Sequence, residues 1–248
     1  MDARIAKDVV LRGRWSMLSK RIIPQLLCRG RKLIKGKQFQ SWRSVGVAAQ
    51  AVRIFQQRQV DELMLLDIGA TPEGRGPDLG LIEELTKVCF MPLTVGGGIK
   101  CLDDAKAVLR AGADKVAIGA AGVCVIRDIA DAFGNQAVVG IMDYKEGGGH
   151  QWIAKELQKS GAGEILLQCI DREGMMDGYD VETIERIARS VDIPVIAAGG
   201  CGTYDHMLEA IKAGADAVAA GSMFQFTDST PRGAAQFLQQ HNVEVRMP

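Results

Sequence analysis

Aromatic residues make up only 5% of this 248-residue sequence, proline occurs just 7 times, and no apolar run approaches the ~20 residues needed to cross a bilayer. With 47% hydrophobic residues, the low proline count rules out a disordered or collagen-like chain, and the short apolar runs rule out a bundle of membrane helices. Charge bias is also missing. Thirty basic residues face thirty acidic ones, so no global field exists to hold nucleic acid or an anionic membrane surface. The six cysteines (Cys28, Cys89, Cys101, Cys124, Cys169, Cys201) form no C-x-x-C and no Cys/His pairing, and nothing resembles a signal peptide. The expectation is a reduced, cytoplasmic protein without a structural metal. No G-x-G-x-x-G opens a helix after a strand, so no dinucleotide or other cofactor is expected.

What the sequence does contain is alternation. Strand-like runs at 21–26, 62–67, 92–95, 115–118, 137–142, 164–170, 194–197 and 217–220 alternate with stretches of helical period such as 48–57, 79–87, 103–111, 181–190, 205–213 and 231–240. An internal repeat then separates a closed sheet from an open one. Residues 61–120 align with 163–222 without a gap at a spacing of 102, with 18 of the 60 pairs identical, as in AGADKVAIG (111–119) against AGADAVAAG (213–221). Four strand–helix units per half is the arithmetic of a (β/α)₈ TIM barrel made from two duplicated half-barrels. The barrel is expected over 17–248, starting at Met17. Residues 1–16 read as an appendage or as an upstream start, or alternatively as a helix plugging the barrel floor through Val9, Val10 and Leu11.

In such a barrel the chemistry lies at the carboxyl ends of the strands. Gly96, Gly97 and Gly98 follow the third strand, Gly199 and Gly200 the seventh, and Gly119-Ala120 and Gly221-Ser222 end the fourth and eighth. Repeated at one offset, these clusters suggest two related phosphate cradles and a substrate phosphorylated at both ends; otherwise they serve tight turns alone. The acid/base candidates are Asp67, Asp143, Asp171 and Glu173. Asp143 is the best of these because it ends the apolar run A-V-V-G-I-M. Its symmetry-related position holds Leu27, so an opposed pair of carboxylates lacks one member. His150, His206 and His241 read as surface residues. At the opposite end, Arg21, Glu62, Lys115 and Glu164 begin four strands and could close a ring of alternating charge across the floor, or could simply be solvated.

The blocks M-L-S-K-R-I-I-P (17–24), V-D-E-L (60–63), L-D-I (66–68), T-V-G-G-G-I (94–99), A-D-K-V (113–116), G-A-G-E-I-L-L (161–167), I-D-R-E-G (170–174), G-Y-D (178–180) and A-A-G-G (197–200) resemble the cyclase-subunit family of imidazole glycerol phosphate synthase. The resemblance implies a cyclase/lyase-type synthase subunit of a glutamine amidotransferase. Ammonia would come from a glutaminase subunit docked on the N-terminal face of the barrel, through a gate matching Arg21, Glu62, Lys115 and Glu164. It further implies a bisphosphorylated substrate held at positions matching Gly97, Gly98, Gly119, Glu173, Gly174, Gly199, Gly200, Gly221 and Ser222, with Asp143 as the retained catalytic aspartate. Three departures stand out: Leu27 in Q-L-L-C where the family reads C-L-D-V, Gly119-Ala120 where Asn-Thr is usual, and a short loop at 144–151. The Leu-Leu strand end resembles a paralogous branch that amidates a sugar for surface polysaccharide. The alternatives are a genuine histidine-pathway cyclase and a non-catalytic module that docks a glutaminase. Met175 and Met176 read as loop packing.

Overall fold

The computed structural model describes residues 19–246. The proposed appendage, the suggested start at Met17 and the floor-plugging helix therefore lie outside the described residues. Ten strands and nine α-helices follow in order: β1 (Arg21–Arg29), β2 (Lys32–Lys37), β3 (Gln40–Val47), α1 (Ala48–Gln57), β4 (Leu63–Asp67), α2 (Leu79–Thr86), β5 (Leu93–Gly96), α3 (Leu102–Arg110), β6 (Lys115–Gly119), α4 (Val123–Phe133), β7 (Val138–Tyr144), α5 (Gln151–Lys159), β8 (Glu164–Cys169), α6 (Val181–Ala188), β9 (Val195–Ala198), α7 (Tyr204–Lys212), β10 (Ala217–Ala220), α8 (Ser222–Phe226) and α9 (Pro231–Gln240).

Eight of the strands pair in parallel in the order β1, β4, β5, β6, β7, β8, β9, β10, and β10 returns to β1 through Arg21↔Ala217 to Pro24↔Ala220. The result is a closed (β/α)₈ TIM barrel. Strand alternation divides its core in two. Ile23, Leu27, Met64, Leu66, Val139, Leu166, Ile196 and Ala217 fill the lumen, whereas Ile22, Leu26, Leu63, Leu65, Ile165 and Val218 face the helices.

The internal repeat persists bond for bond. Asp78 caps α2 by accepting from Leu81 N at 2.9 Å, and its repeat-mate Asp180 caps α6 by accepting from Thr183 N at 3.2 Å. Likewise Asp114 accepts from Leu93 N, and Asp216 accepts from Val195 N. Each half thus ties its third and fourth strands together with the same carboxylate.

One element departs from the expected alternation. The strand beginning at Arg21 runs to Arg29 rather than Leu26 and continues into an antiparallel hairpin, β2–β3, paired to β1 through Cys28↔Leu33 and Arg29↔Lys32. The hairpin turns at Gln38 and Phe39, both left-handed at φ 52° and 55°. Its tip crosses the mouth, where Gln38 N donates to Glu173 O at 2.8 Å and Gln38 Nε2 to Asp171 O at 2.9 Å. Ile34, Phe39 and Trp42 pack onto the luminal cluster from above.

Candidate functional site

At the barrel floor the four charged residues meet. Arg21 Nη1 donates to Glu62 Oε2 at 2.7 Å and Arg21 Nη2 to Glu164 Oε2 at 2.8 Å; Lys115 Nζ donates to Glu62 Oε1 at 3.1 Å and to Glu164 Oε1 at 2.8 Å. Glu62, immediately before β4, also accepts from Thr94 Oγ1 at 2.9 Å. Each anion therefore holds both cations, and the ring is closed. Burial by itself would lift the Glu164 carboxyl, but Arg21 and Lys115 outweigh it and hold the group below the ordinary range. Burial likewise opposes the Arg21 charge, and its two carboxylates more than restore it.

Asp143 is the penultimate residue of β7, inside the strand rather than after it, on the luminal face above Val139 and Ile141. It opens to solvent at the mouth, yet protein surrounds it closely enough that desolvation pushes its carboxyl up to about 6. Among the described residues no donor reaches that carboxylate, so it is a free acid/base group with a near-neutral pKa. Leu27 is 1% exposed and packs with Leu66 and Ile34, so the position related to Asp143 by symmetry is apolar.

The other carboxylate candidates are engaged. Asp67 accepts from the backbone N–H groups of Gly69 and Ala70 and pairs with Arg75 at 3.2 Å, which makes it a loop organiser rather than a free acid. Asp171 accepts from Glu146 N at 2.9 Å. His206 Nδ1 accepts from Gly202 N, His241 Nδ1 contacts Phe237 O, and His150 precedes α5; none faces Asp143 in a hydrogen bond.

The glycines of the two cradles superpose in their constraints. A Cβ on Gly97 would lie 2.2 Å from Asp67 O, and one on Gly199 would lie 2.5 Å from Cys169 O. Gly98 presses on the 75–76 backbone as Gly200 presses on Gly178 O, and all four have positive φ. Close backbone packing therefore demands these glycines whether or not an anion binds. Gly119 differs, since nothing lies near its absent side chain.

The second cradle carries features that the motifs did not reveal. Gln25, Glu173, Gly174, Met176, Gly200 and Ser222 line a recess with room for only about 10 Å³, one water's worth, and Lys35 from β2 projects its amine to within 2.2 Å of where a Gly221 side chain would start. Met176 packs against the loop at Gly202 and also borders the cradle. Among the described residues the buried Lys35 amine has no hydrogen-bond partner; Glu173 Oε1 is 3.9 Å away. Burial pulls the Lys35 pKa down against the pull of Glu173. Glu173 Oε2 in turn accepts from Gln168 Nε2 at 3.0 Å, and Gln168 Oε1 accepts from Gln25 Nε2 at 2.9 Å. A polar residue within each otherwise apolar strand, R-I-I-P-Q-L-L-C and E-I-L-L-Q-C, was the available signal for this chain.

Residues 21–230 match the family model described as "Histidine biosynthesis protein". The chain is 41% identical over 249 residues to imidazole glycerol phosphate synthase subunit HisF of Exiguobacterium sibiricum, covering 93% of this chain and 100% of that one. The same subunit of Dictyoglomus thermophilum is 39% identical and that of Dictyoglomus turgidum 38% identical, each over 251 residues with the same coverage.

Proposed function

Because this chain belongs to the histidine biosynthesis protein family, we propose that it is the cyclase-type synthase subunit of a glutamine amidotransferase, receiving ammonia through the barrel floor. One observation carries this reading: the closed ring of Arg21, Glu62, Lys115 and Glu164 lies at the opposite end of the lumen from Asp143. Two cations and two anions at the foot of an apolar passage leave no uncompensated charge, and they bar ions while an adjacent subunit delivers a neutral nitrogen. A glutaminase subunit is the partner, docked on the N-terminal face.

At the mouth Asp143 acts as the acid/base group, with a pKa near the operating range for proton transfer. Gly97, Gly98 and Gly119 form one phosphate cradle; Gly174, Gly199, Gly200, Gly221 and Ser222 form the other, with Lys35 as its cation and Glu173 beside it. The acceptor differs from that of the histidine pathway, since Leu27 places hydrocarbon where an opposed carboxylate would stand and only residues 145–150 link β7 to α5. Amidation of a phosphorylated or nucleotide-linked sugar fits a single acid/base group better than a ring closure needing two. The full-length match to relatives named HisF favours the second reading, a histidine-pathway cyclase that tolerates Leu27.

The test is turnover of the bisphosphorylated ribonucleotide with ammonium salt as nitrogen donor. The proposal expects none from the folded chain. Turnover abolished by Asp143→Asn would establish the histidine-pathway reading instead. A chain that binds neither phosphate esters nor nucleotide sugars would be a docking module only.

A further inference from the structure

Arg21 and Glu164 join β1 to β8 at the floor, and four residues farther along the same two strands Gln25 and Gln168 join them again. Between the two cross-links the luminal positions hold Ile23 and Leu166. A neutral nitrogen rising from the ring crosses this hydrocarbon layer and then meets a hydrogen-bonded pair of amides, 3% and 1% exposed, that spans from β1 to β8 in front of the small residues Ala198 and Ala219. Gln168 is also paired in register with Asp143, so one end of the bridge stands beside the acid/base group on the adjacent strand.

The same amides are the inner end of a chain that reaches the second cradle: Gln25, Gln168, Glu173, Lys35. The recess of the cradle holds little more than a water, and the Lys35 amine stands beside it, against Gly221. An anion the size of phosphate enters only if these side chains shift, and the Lys35 ammonium, 3.9 Å from Glu173 and without a hydrogen-bond partner among the described residues, turns to the anion.

We propose that the Gln25–Gln168 bridge is an inner closure on the path of the nitrogen, and that an anion in the second cradle opens it by drawing Lys35 away from Glu173 and repelling the Glu173 carboxylate from Gln168. Gln25 and Gln168 are thus positioning residues that admit ammonia to Asp143 only when the acceptor is in place. This rests on the reading of the barrel as an ammonia-accepting synthase.

The experiment uses the ¹⁵N-labelled full chain and inorganic phosphate. The side-chain NH₂ signals of Gln25 and Gln168, assigned through Gln25→Leu and Gln168→Leu, exchange slowly with solvent, and saturating phosphate accelerates that exchange about tenfold or more. Gln168→Leu, which does not line the recess, keeps phosphate binding, seen in the backbone signals of Gly199, Gly200 and Gly221, while its Gln25 amide exchanges fast with and without phosphate. Phosphate that shifts those backbone signals while leaving both amides protected would overturn the closure and spare the cradle. Phosphate that shifts nothing would remove the cradle and the closure together.

Discussion

Glu62 and Glu164, repeat-mates 102 residues apart, hold the same ammonium: Lys115 Nζ lies 3.1 Å from the first and 2.8 Å from the second. Arg21 bridges the same two carboxylates on its own account. A duplicated half-barrel brings one glutamate from each half to its floor, and two cations convert that like-charged pair into a closed ring.

Removing one cation should therefore cost more than one contact. Arg21→Met leaves two buried carboxylates with Lys115 alone and is expected to destabilise the chain by about 2–3 kcal/mol in urea unfolding, somewhat below a fully buried pair because the ring touches solvent. The Glu164 pKa lies below its unfolded value, so the ring's stabilisation is complete above the unfolded pKa and is lost as pH falls through the folded one. The gap between wild type and Arg21→Met should narrow in acid; an equal gap at every pH would contradict this account.

Asp143 carries the opposite sign. Its folded pKa of about 6 lies above the unfolded value, so ionisation weakens the fold, and that loss is recovered as pH falls through 6. Asp143→Asn should unfold at higher denaturant above pH 6, by about 1 kcal/mol once its solvent access is allowed for, and should match wild type below pH 4. The same variant should be inactive with the true acceptor.

Two glycines of similar appearance should behave differently. Gly200→Ala drives a methyl group to 2.0 Å from Gly178 O at a positive φ and should cost about 2–4 kcal/mol, whereas Gly119→Ala meets open space and should cost almost nothing. Unfolding curves for the two variants side by side decide the matter.

Lys35→Met tests function against stability. The variant relieves a buried amine without a hydrogen-bond partner among the described residues but leaves the buried Glu173 carboxylate without its cation, so the chain should lose about 1–2 kcal/mol of stability. Phosphate binding measured by calorimetry should weaken about tenfold or more. A variant both less stable and equally tight in binding would show that the amine serves only packing.

The floor carries a side chain suited to anchoring a partner. Phe90 is 81% exposed in the loop leading into β5, and its backbone N–H is fixed by Gln56 Oε1 at 2.7 Å. Phe90→Ala should leave the fold intact and weaken glutaminase association by roughly 1–2 kcal/mol in sedimentation or calorimetry.

Much of the fold was legible because the repeat declares it. The 102-residue offset fixes four units per half, and helices such as Ala48–Gln57 and Pro231–Gln240 begin and end where their periodicity does. The β2–β3 hairpin was not legible because its turn is built on Gln38 and Phe39, residues that seldom adopt left-handed φ and that give none of the Asn-Gly or Gly-rich signal of a tight hairpin. Missing the hairpin meant missing Lys35, whose role depends on that turn carrying it over the mouth. Asp143 and the floor ring could be read from strand ends alone. The Gln25–Gln168–Glu173 chain could not, since it joins strands by side-chain reach and not by sequence spacing.

The hairpin also breaks the twofold sameness of the two halves. It grows between β1 and α1, while the corresponding connection from β7 to α5 is a plain loop at 145–150. One cradle thereby gains a lysine and a cover that the hairpin does not lend to the other. A ligand bearing a phosphate at each end would find the two seats unequal, so it would bind in one orientation, with the same end always presented to Asp143. A barrel of identical halves has no means of telling left from right; here the hairpin at 32–47 supplies it.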